Sequence, residues 1–371
     1  MKVQRVRSPD TNRSSWIVLG DDFLPVKPIL VFLKFMEDLG RSPNTVRATA
    51  HHLKLFWEYL RDERLDWKDV DIAHLAAFIS WLRNPLPSMR SMKVYKAART
   101  DATIDQILTA IHVFYEFHIC MKSVPDLPLY SFVTMPIRRY KPMLYGMVRA
   151  QLVRTRNVKV KRGENLIKIL TSEQVQAIIN VCTHVRDKFL LALLYETGMR
   201  IGQALGLRHS DISVENGKIH IIPRDDNANG MRAKTRSEYI IPAKTDLMQL
   251  YTDYLVEDLN ALEADHLPDY VFVNLWDGKI GHPMTYETVM SLFHRLCKKT
   301  GIQVTPHMFR HTRATEWIRD DKLPLSTVSP LLGHNSIQTT HDIYVHLTAE
   351  DLRKELEDAE ARKSRNDVDE Q

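Results

Sequence analysis

Apolar positions recur at helical steps over the first third of the chain. Between Pro28 and Asp38, Ile29, Leu30, Leu33 and Met36 fall on one side. Ser42-Pro43 is a strong helix start, a capping side chain followed by proline in the first turn. After it Val46, Ala50, Leu53, Phe56, Trp57 and Leu60 recur at three- and four-residue steps, the mark of an amphipathic helix. Helical patterns also cover about 72–83 and 104–118, and no strand pattern precedes residue 120. Residues 1–20 have no clear period and read as an N-terminal extension, followed by an all-helical domain over 21–125. Pro128, Pro136 and Pro142 punctuate 126–165, which reads as an extended connector.

A second domain is expected over 166–352. Thr171 with Gln174 forms a capping-box signature, and a helix over about 186–196 ends near Gly198. Lys218 to Ile222 and Glu238 to Ile241 look like strands around the polar loop Asp225 to Gly230, so a hairpin is expected. Helices return at about 285–299 and from Pro306. Residues 353–371 read as a charged tail with too few apolar positions to pack. The fold class is mainly α with a small β-sheet, an α+β chain of two domains.

Composition narrows the function. The chain has 371 residues, 44% hydrophobic and 26% charged, as expected for a globular protein. Its longest apolar run, around Phe189 to Tyr195, is too short to span a bilayer, and no secretory pattern opens the chain. Cys120, Cys182 and Cys297 are scattered, with no zinc-ligand spacing. A reducing, cytoplasmic setting without a membrane is expected. The net charge of +5 is modest, but its distribution is uneven. Arg138, Arg139, Lys141, Arg149, Arg154, Arg156, Lys159, Lys161 and Arg162 fall in a stretch with no acidic residue. Such a stretch can track phosphates by displacing counterions, or serve as a solvated linker.

Individual residues carry candidate chemistry. Thr305 and Pro306 are suited to the cap and first turn of a helix, placing His307 and Arg310 one turn apart beside a helix N-terminus that favours anions. Arg200 follows the turn Glu196-Thr197-Gly198-Met199 and heads a half-buried helix. Its guanidinium can grip two phosphate oxygens, or pair with a carboxylate such as Asp211. Lys234 belongs to the hairpin loop or the start of its second strand, and can reach a groove or remain solvated. His334 follows Gly333, at a helix C-terminus. Tyr344, between Ile343 and Val345, is by itself an ordinary core aromatic.

Taken together and in this order, these residues resemble the tyrosine recombinases, the phage integrase family. Box I of that family resembles Glu196-Thr197-Gly198-Met199-Arg200-Ile201. Box II resembles His307-Met308-Phe309-Arg310-His311-Thr312-Arg313-Ala314-Thr315, then Leu331-Leu332-Gly333-His334, then Tyr344. The helical first domain, entered at Ser42-Pro43-Asn44-Thr45, is similar to the family's core-binding domain. The chain departs from the pattern at Gln203, where the family commonly has an acid, and the interval from His334 to Tyr344 is one residue longer than in some members.

The resemblance implies site-specific DNA cutting and rejoining through a 3′-phosphotyrosyl intermediate, for integration, excision or transposition of a mobile element, with no cofactor and no metal. It implies that Arg200 and Arg310 hold the scissile phosphate, Tyr344 attacks it, Lys234 protonates the leaving 5′-oxygen, His307 moves a proton, and His334 hydrogen-bonds a phosphate oxygen. It further implies double-stranded DNA as partner, clasped by two domains, a homo-tetramer in the synaptic complex, and a possible accessory recombinase or directionality protein. Two other readings share part of the pattern: a type IB topoisomerase-like strand transferase, and a DNA-binding regulator without catalysis.

Overall fold

The computed structural model describes residues 1–7, 14–83, 99–134, 152–160, 167–235, 237–262, 268–276, 278–333 and 340. The chain divides into two compact units, Met1–Asn165 and Leu166–Gln371.

The first unit opens with a hairpin, β1 (Lys2–Arg7) paired antiparallel with β2 (Ser14–Leu19). Four helices follow: α1 (Lys27–Asp38), α2 (Pro43–Asp62), α3 (Ile72–Arg83) and α4 (Asp101–Cys120). Ser42 caps α2 by accepting from the Thr45 amide, and Thr100 caps α4 in the same way through Thr103. The core lies where these helices face one another. Phe56, fully buried, meets Phe78 edge-on at 5.1 Å and Tyr115 at 6.0 Å, geometries that suit the ring quadrupoles. Buried hydroxyls find backbone acceptors: Tyr59 donates to the His74 carbonyl and Tyr115 to that of Trp67.

Four expectations are corrected here. Residues 1–20 are no featureless extension, and strands do precede residue 120. The hairpin places Val18 in the helical core and packs Val3 and Trp16 against it. Only alternate residues of a strand need be apolar, so six-residue strands with Lys, Gln and Arg facing out leave a faint trace. The connector over 126–165 is in part a second hairpin: β3 (Tyr130–Thr134) pairs with β4 (Leu152–Arg156), and Leu127, Leu129, Val158 and Val160 join the first core. In α1 the buried set is Ile29, Phe32, Leu33 and Met36, with Leu30 turned outward.

The second unit is built around an apolar helix. After α5 (Ser172–Asn180), capped by the reciprocal Thr171–Gln174 box, α6 (Val185–Thr197) buries Phe189, Leu190, Leu191, Leu193 and Leu194. The middle of the helix, Phe189 to Leu194, is apolar all round and so belongs inside the core. Next come the short α7 (Ile201–Ala204) and an antiparallel sheet of β5 (Ile212–Ser213), β6 (Lys218–Ile221) and β7 (Tyr239–Pro242) in that order. Ile219 opposes Ile241 and Ile221 opposes Tyr239, so one face points into the core. Then α8 (Thr245–Tyr254), α9 (Tyr286–Thr300), α10 (Pro306–Arg319) and α11 (Leu325–Leu331) complete the described part. Thr305 holds the cap position of α10, but its side chain makes no capping bond.

Truncating Phe56 to alanine is predicted to cost roughly 3–5 kcal/mol in the first unit, as for other large buried rings. Urea unfolding followed by tryptophan fluorescence would read this, and a loss well below 1 kcal/mol would show that the ring cluster is not the core.

Candidate active site

α6 ends in a left-handed cap at Gly198, whose φ is +60°. A Cβ there would meet Leu332 Cδ2 at 3.2 Å and Trp317 at 3.5 Å, so glycine is needed both for the conformation and for the approach of these neighbours. Thr197 tightens the turn, its hydroxyl donating to the Leu193 carbonyl and accepting from the Met199 amide. The chain then delivers Arg200 to the cap of α7, where its own amide donates to Gln203 Oε1 at 2.7 Å.

Arg310, on the first turns of α10, is 1% exposed. Its Nη1 donates to the Gly198 carbonyl at 2.9 Å and its Nη2 to the Leu332 carbonyl at 2.7 Å. A single side chain thereby joins the turn before Arg200, helix α10 and the turn after α11. These segments are 112 and 22 residues away from it in sequence.

His307, one turn before Arg310, is solvent-exposed. Its pKa is held below the ordinary histidine value by partial desolvation and by the charges of Arg310, Arg200 and Lys234. Desolvation and the three cations act in the same direction, and all three cations lie close enough to be felt by this one histidine. His311 lies one further turn along, its ring 4.4 Å from that of His307 and nearly perpendicular to it. Its pKa falls to about 4 through burial, His307 and Arg310.

Lys234 is exposed, between β6 and β7 and short of the second strand, and carries a positive φ of +55°. Its loop is tied down by amide side chains. Asn229 donates to the carbonyls of Leu205 and Met284, both at 2.9 Å, and Asn227 to that of Met231 at 2.8 Å. Gly202 lets the loop lie against α7, because a Cβ there would sit 2.7 Å from the Arg232 carbonyl oxygen.

The structure thus groups Arg200, Lys234, His307 and Arg310. His334 and Tyr344 lie outside the described residues, as do Arg138, Arg139, Lys141, Lys161 and Arg162. Arg154 and Arg156 are engaged within the first unit. Arg154 pairs with Glu116 and stacks 3.6 Å over Tyr130, while Arg156 donates to Thr109 and lies 3.8 Å from Asp105. Lys159 is exposed. Asp211, considered a partner for Arg200, instead holds Arg224 in a two-point bridge, both bonds 2.7 Å. Reasoning from the sequence passed over His311, although its place four residues after His307 puts both on one helix face. It also passed over Tyr239, whose hydroxyl accepts from Gln203 Nε2 at 2.8 Å, since nothing in a strand tyrosine marks it.

The phage integrase family model matches residues 168–351, and the phage integrase N-terminal SAM-like domain matches 31–120. The chain is 35% identical over 358 residues to transposase A from transposon Tn554 of Staphylococcus aureus, spanning 96% of this chain and 97% of that protein. It is 32% identical over 223 residues to the tyrosine recombinase XerC of Chlamydia trachomatis, spanning 57% of this chain and 65% of that one. In fold it is similar to the Tn1549 transposon integrase in complex with a circular intermediate DNA, with a TM-score of 0.63 at 16% identity over 89% of this chain and 98% of that one. It is likewise similar to a lambda integrase dimer bound to a core site, with a TM-score of 0.56 at 14% identity, covering 87% and 96% of the two chains. The chain belongs to the phage integrase family and is a tyrosine site-specific recombinase. No described helix is long and apolar enough to cross a membrane.

The depressed His311 carries a pH prediction. The folded state resists protonating this ring down to about 4, whereas the unfolded chain takes the proton near the ordinary histidine value of 6.5. Acid therefore favours unfolding between those two values, and above the higher one both states are neutral and the contribution is constant. The melting temperature of the protein should fall as pH drops through that window, less steeply in His311→Gln; an unchanged slope in the variant would remove His311 as the source.

Proposed function

We propose that this recombinase moves a mobile element by cutting and rejoining double-stranded DNA at specific sites through a 3′-phosphotyrosyl intermediate. The observation that supports this most is the buried Arg310, whose bonds to the Gly198 and Leu332 carbonyls bring together the turn before Arg200 and the turn that leads to His334. The near full-length likeness to a transposase supports the mobile-element setting.

In this reading Arg200 and Arg310 hold the non-bridging oxygens of the scissile phosphate and offset the charge that grows in the pentavalent transition state. Tyr344 attacks phosphorus, forming the Tyr–O–P bond as the bond to the 5′-oxygen breaks. Lys234 gives that oxygen a proton, so an alcohol leaves instead of an alkoxide. His307, kept neutral by its cationic neighbours, accepts a proton on the tyrosine side. A phenol with a reference pKa of about 10 needs such a base or a strongly positive surrounding at neutral pH. His334 hydrogen-bonds a phosphate oxygen. Rejoining reverses the step, with a 5′-hydroxyl from another strand displacing the tyrosine. The phosphodiester energy is kept in the covalent link.

We further assign residues 21–125 to core binding, 126–165 to a basic segment along the DNA backbone, and 166–352 to catalysis, with 353–371 a charged tail. Exchange between two duplexes needs four cleavages, hence a homo-tetramer at synapsis, with an accessory recombinase or directionality protein where the element requires one. Of the basic segment, Arg138, Arg139, Lys141, Lys161, Arg162 and the exposed Lys159 are the candidates for phosphate contact. Arg154 and Arg156 would contribute only by giving up their present partners.

A nicked suicide substrate carrying the element's end tests the reading. The protein should form a covalent adduct that survives denaturation, and Tyr344→Phe should form none; an adduct with that variant would overturn the assignment. Lys234→Ala is predicted to slow adduct formation by about 10²–10⁴, the usual contribution of a placed general acid. Single-turnover rates would check it, and a rate near wild type would assign the acid elsewhere.

A further inference from the structure

Gln203 is 3% exposed and has both ends of its amide engaged. Its Oε1 accepts from the Arg200 amide at 2.7 Å and its Nε2 donates to the Tyr239 hydroxyl at 2.8 Å. A backbone N–H can only donate, so the amide has one orientation, and that orientation aims its N–H at the phenol. Tyr239 in turn lies flush against Gly333. A Cβ on that glycine would be 2.7 Å from the hydroxyl oxygen, 2.8 Å from Cζ and 2.9 Å from Cε1. Gly333 has a φ of +59° and leads directly into His334. The residue before it gives its carbonyl to Arg310, so this one turn has Arg310 on one side and Tyr239 on the other.

We propose that Gln203 and Tyr239 form an uncharged brace that sets the Gly333 turn against the Arg200 segment, which makes Tyr239 a positioning residue for strand cleavage. The proposal rests on the reading of Arg200, Arg310 and His334 as phosphate ligands. The brace gives those three groups a common reference. Arg200 is tied to Gln203 through its own amide, Gln203 to Tyr239, and Tyr239 by packing to the turn before His334. The hydroxyl is the member that matters, because a phenylalanine would keep the ring and leave a buried amide N–H without its acceptor. The brace works by geometry alone and adds no negative charge beside the two arginines.

The test uses single-turnover cleavage of the suicide substrate by the full-length protein. Tyr239→Phe and Gln203→Leu should each slow adduct formation by about tenfold, as for a lost buried hydrogen bond in a reacting assembly. DNA affinity should stay within about twofold, because the loss falls on alignment and not on binding. The double variant should be no slower than the slower single, since both changes remove one interaction. Gln203→Glu should restore the rate: its carboxylate can accept from the Arg200 amide and from the Tyr239 hydroxyl, and it should fail to do so in the Tyr239→Phe background. A Tyr239→Phe protein that cleaves at the wild-type rate, or a double variant slowed by the product of the singles, would overturn the brace. Should the wild-type protein give no adduct, the cleavage reading fails by itself. The brace is then judged by amide hydrogen exchange at Leu332 and Gly333 in the free protein, which must quicken in Tyr239→Phe and whose constancy would refute it.

Discussion

Arg310 gives N–H bonds to the carbonyls of Gly198 and Leu332 while 1% exposed, and the arrangement of the second unit around its site depends on those two bonds. Taking a guanidinium out of water is costly unless its donors are met. Carbonyl oxygens at the ends of helices are suitable partners, because they have no partner inside the helix and carry the negative end of its dipole. Both carbonyls here are of that kind, one at the end of α6 and one at the end of α11. Lysine would not serve: its ammonium is a compact, strongly hydrated charge, whereas a guanidinium holds five donors in a rigid plane and can address backbone and an anion at once. The residue that best suits a phosphate is therefore also the one that gathers the three turns.

Several features follow from the closeness of those turns. Gly198 has to be glycine because Leu332 and Trp317 occupy the space of its side chain, and Gly333 because Tyr239 does. The middle of α6, Phe189 to Leu194, is apolar on every side because it runs through the core towards the point where the turns meet. Such a helix is a rigid base, and sites built on rigid elements hold geometry better than sites on loops. Lys234 is held differently. It rides on a loop fastened by the amides of Asn227 and Asn229, bonds that cost less to break than a packed core. The proposed phosphate ligands thus sit on a stiff frame and the proposed acid on a more pliant arm, a division that suits a proton donor needed only while the 5′-oxygen departs.

Much of this was legible in the sequence where a local rule applies. The caps at Ser42 and Thr171, the end of α6 at Gly198, the strands after Lys218 and before Pro242, and the helix from Pro306 each depend on a few neighbouring residues, and each is present. The family order of Arg200, Lys234, His307 and Arg310 was legible as a pattern, but not the contacts that assemble it. No local rule links Arg310 to Leu332 or Gln203 to Tyr239, because those pairings follow from tertiary packing. The two hairpins of the first unit escaped for another reason. Their strands are five or six residues long with one face polar, so period two is weakly written, and in β3–β4 a run of basic residues dominates the reading. Arg154 and Arg156 illustrate the cost of reading charge without partners, since Glu116 and Asp105 on α4 are distant in sequence and adjacent in space.

Charge at the site can now be considered as a whole. Desolvation and three nearby cations together depress one histidine, so positive charge is gathered at this place. Concentrating like charges disfavours folding, and the two carbonyl bonds of Arg310 hold its charge in place against that cost. Gln203 is part of that balance. Its buried amide supplies two hydrogen bonds and adds no charge of its own. In the proposed reading a phosphodiester held by Arg200 and Arg310 brings negative charge to these cations as it binds. Its transition state carries more negative charge than its ground state, so cations fixed at these positions favour the reacting phosphate over the resting one.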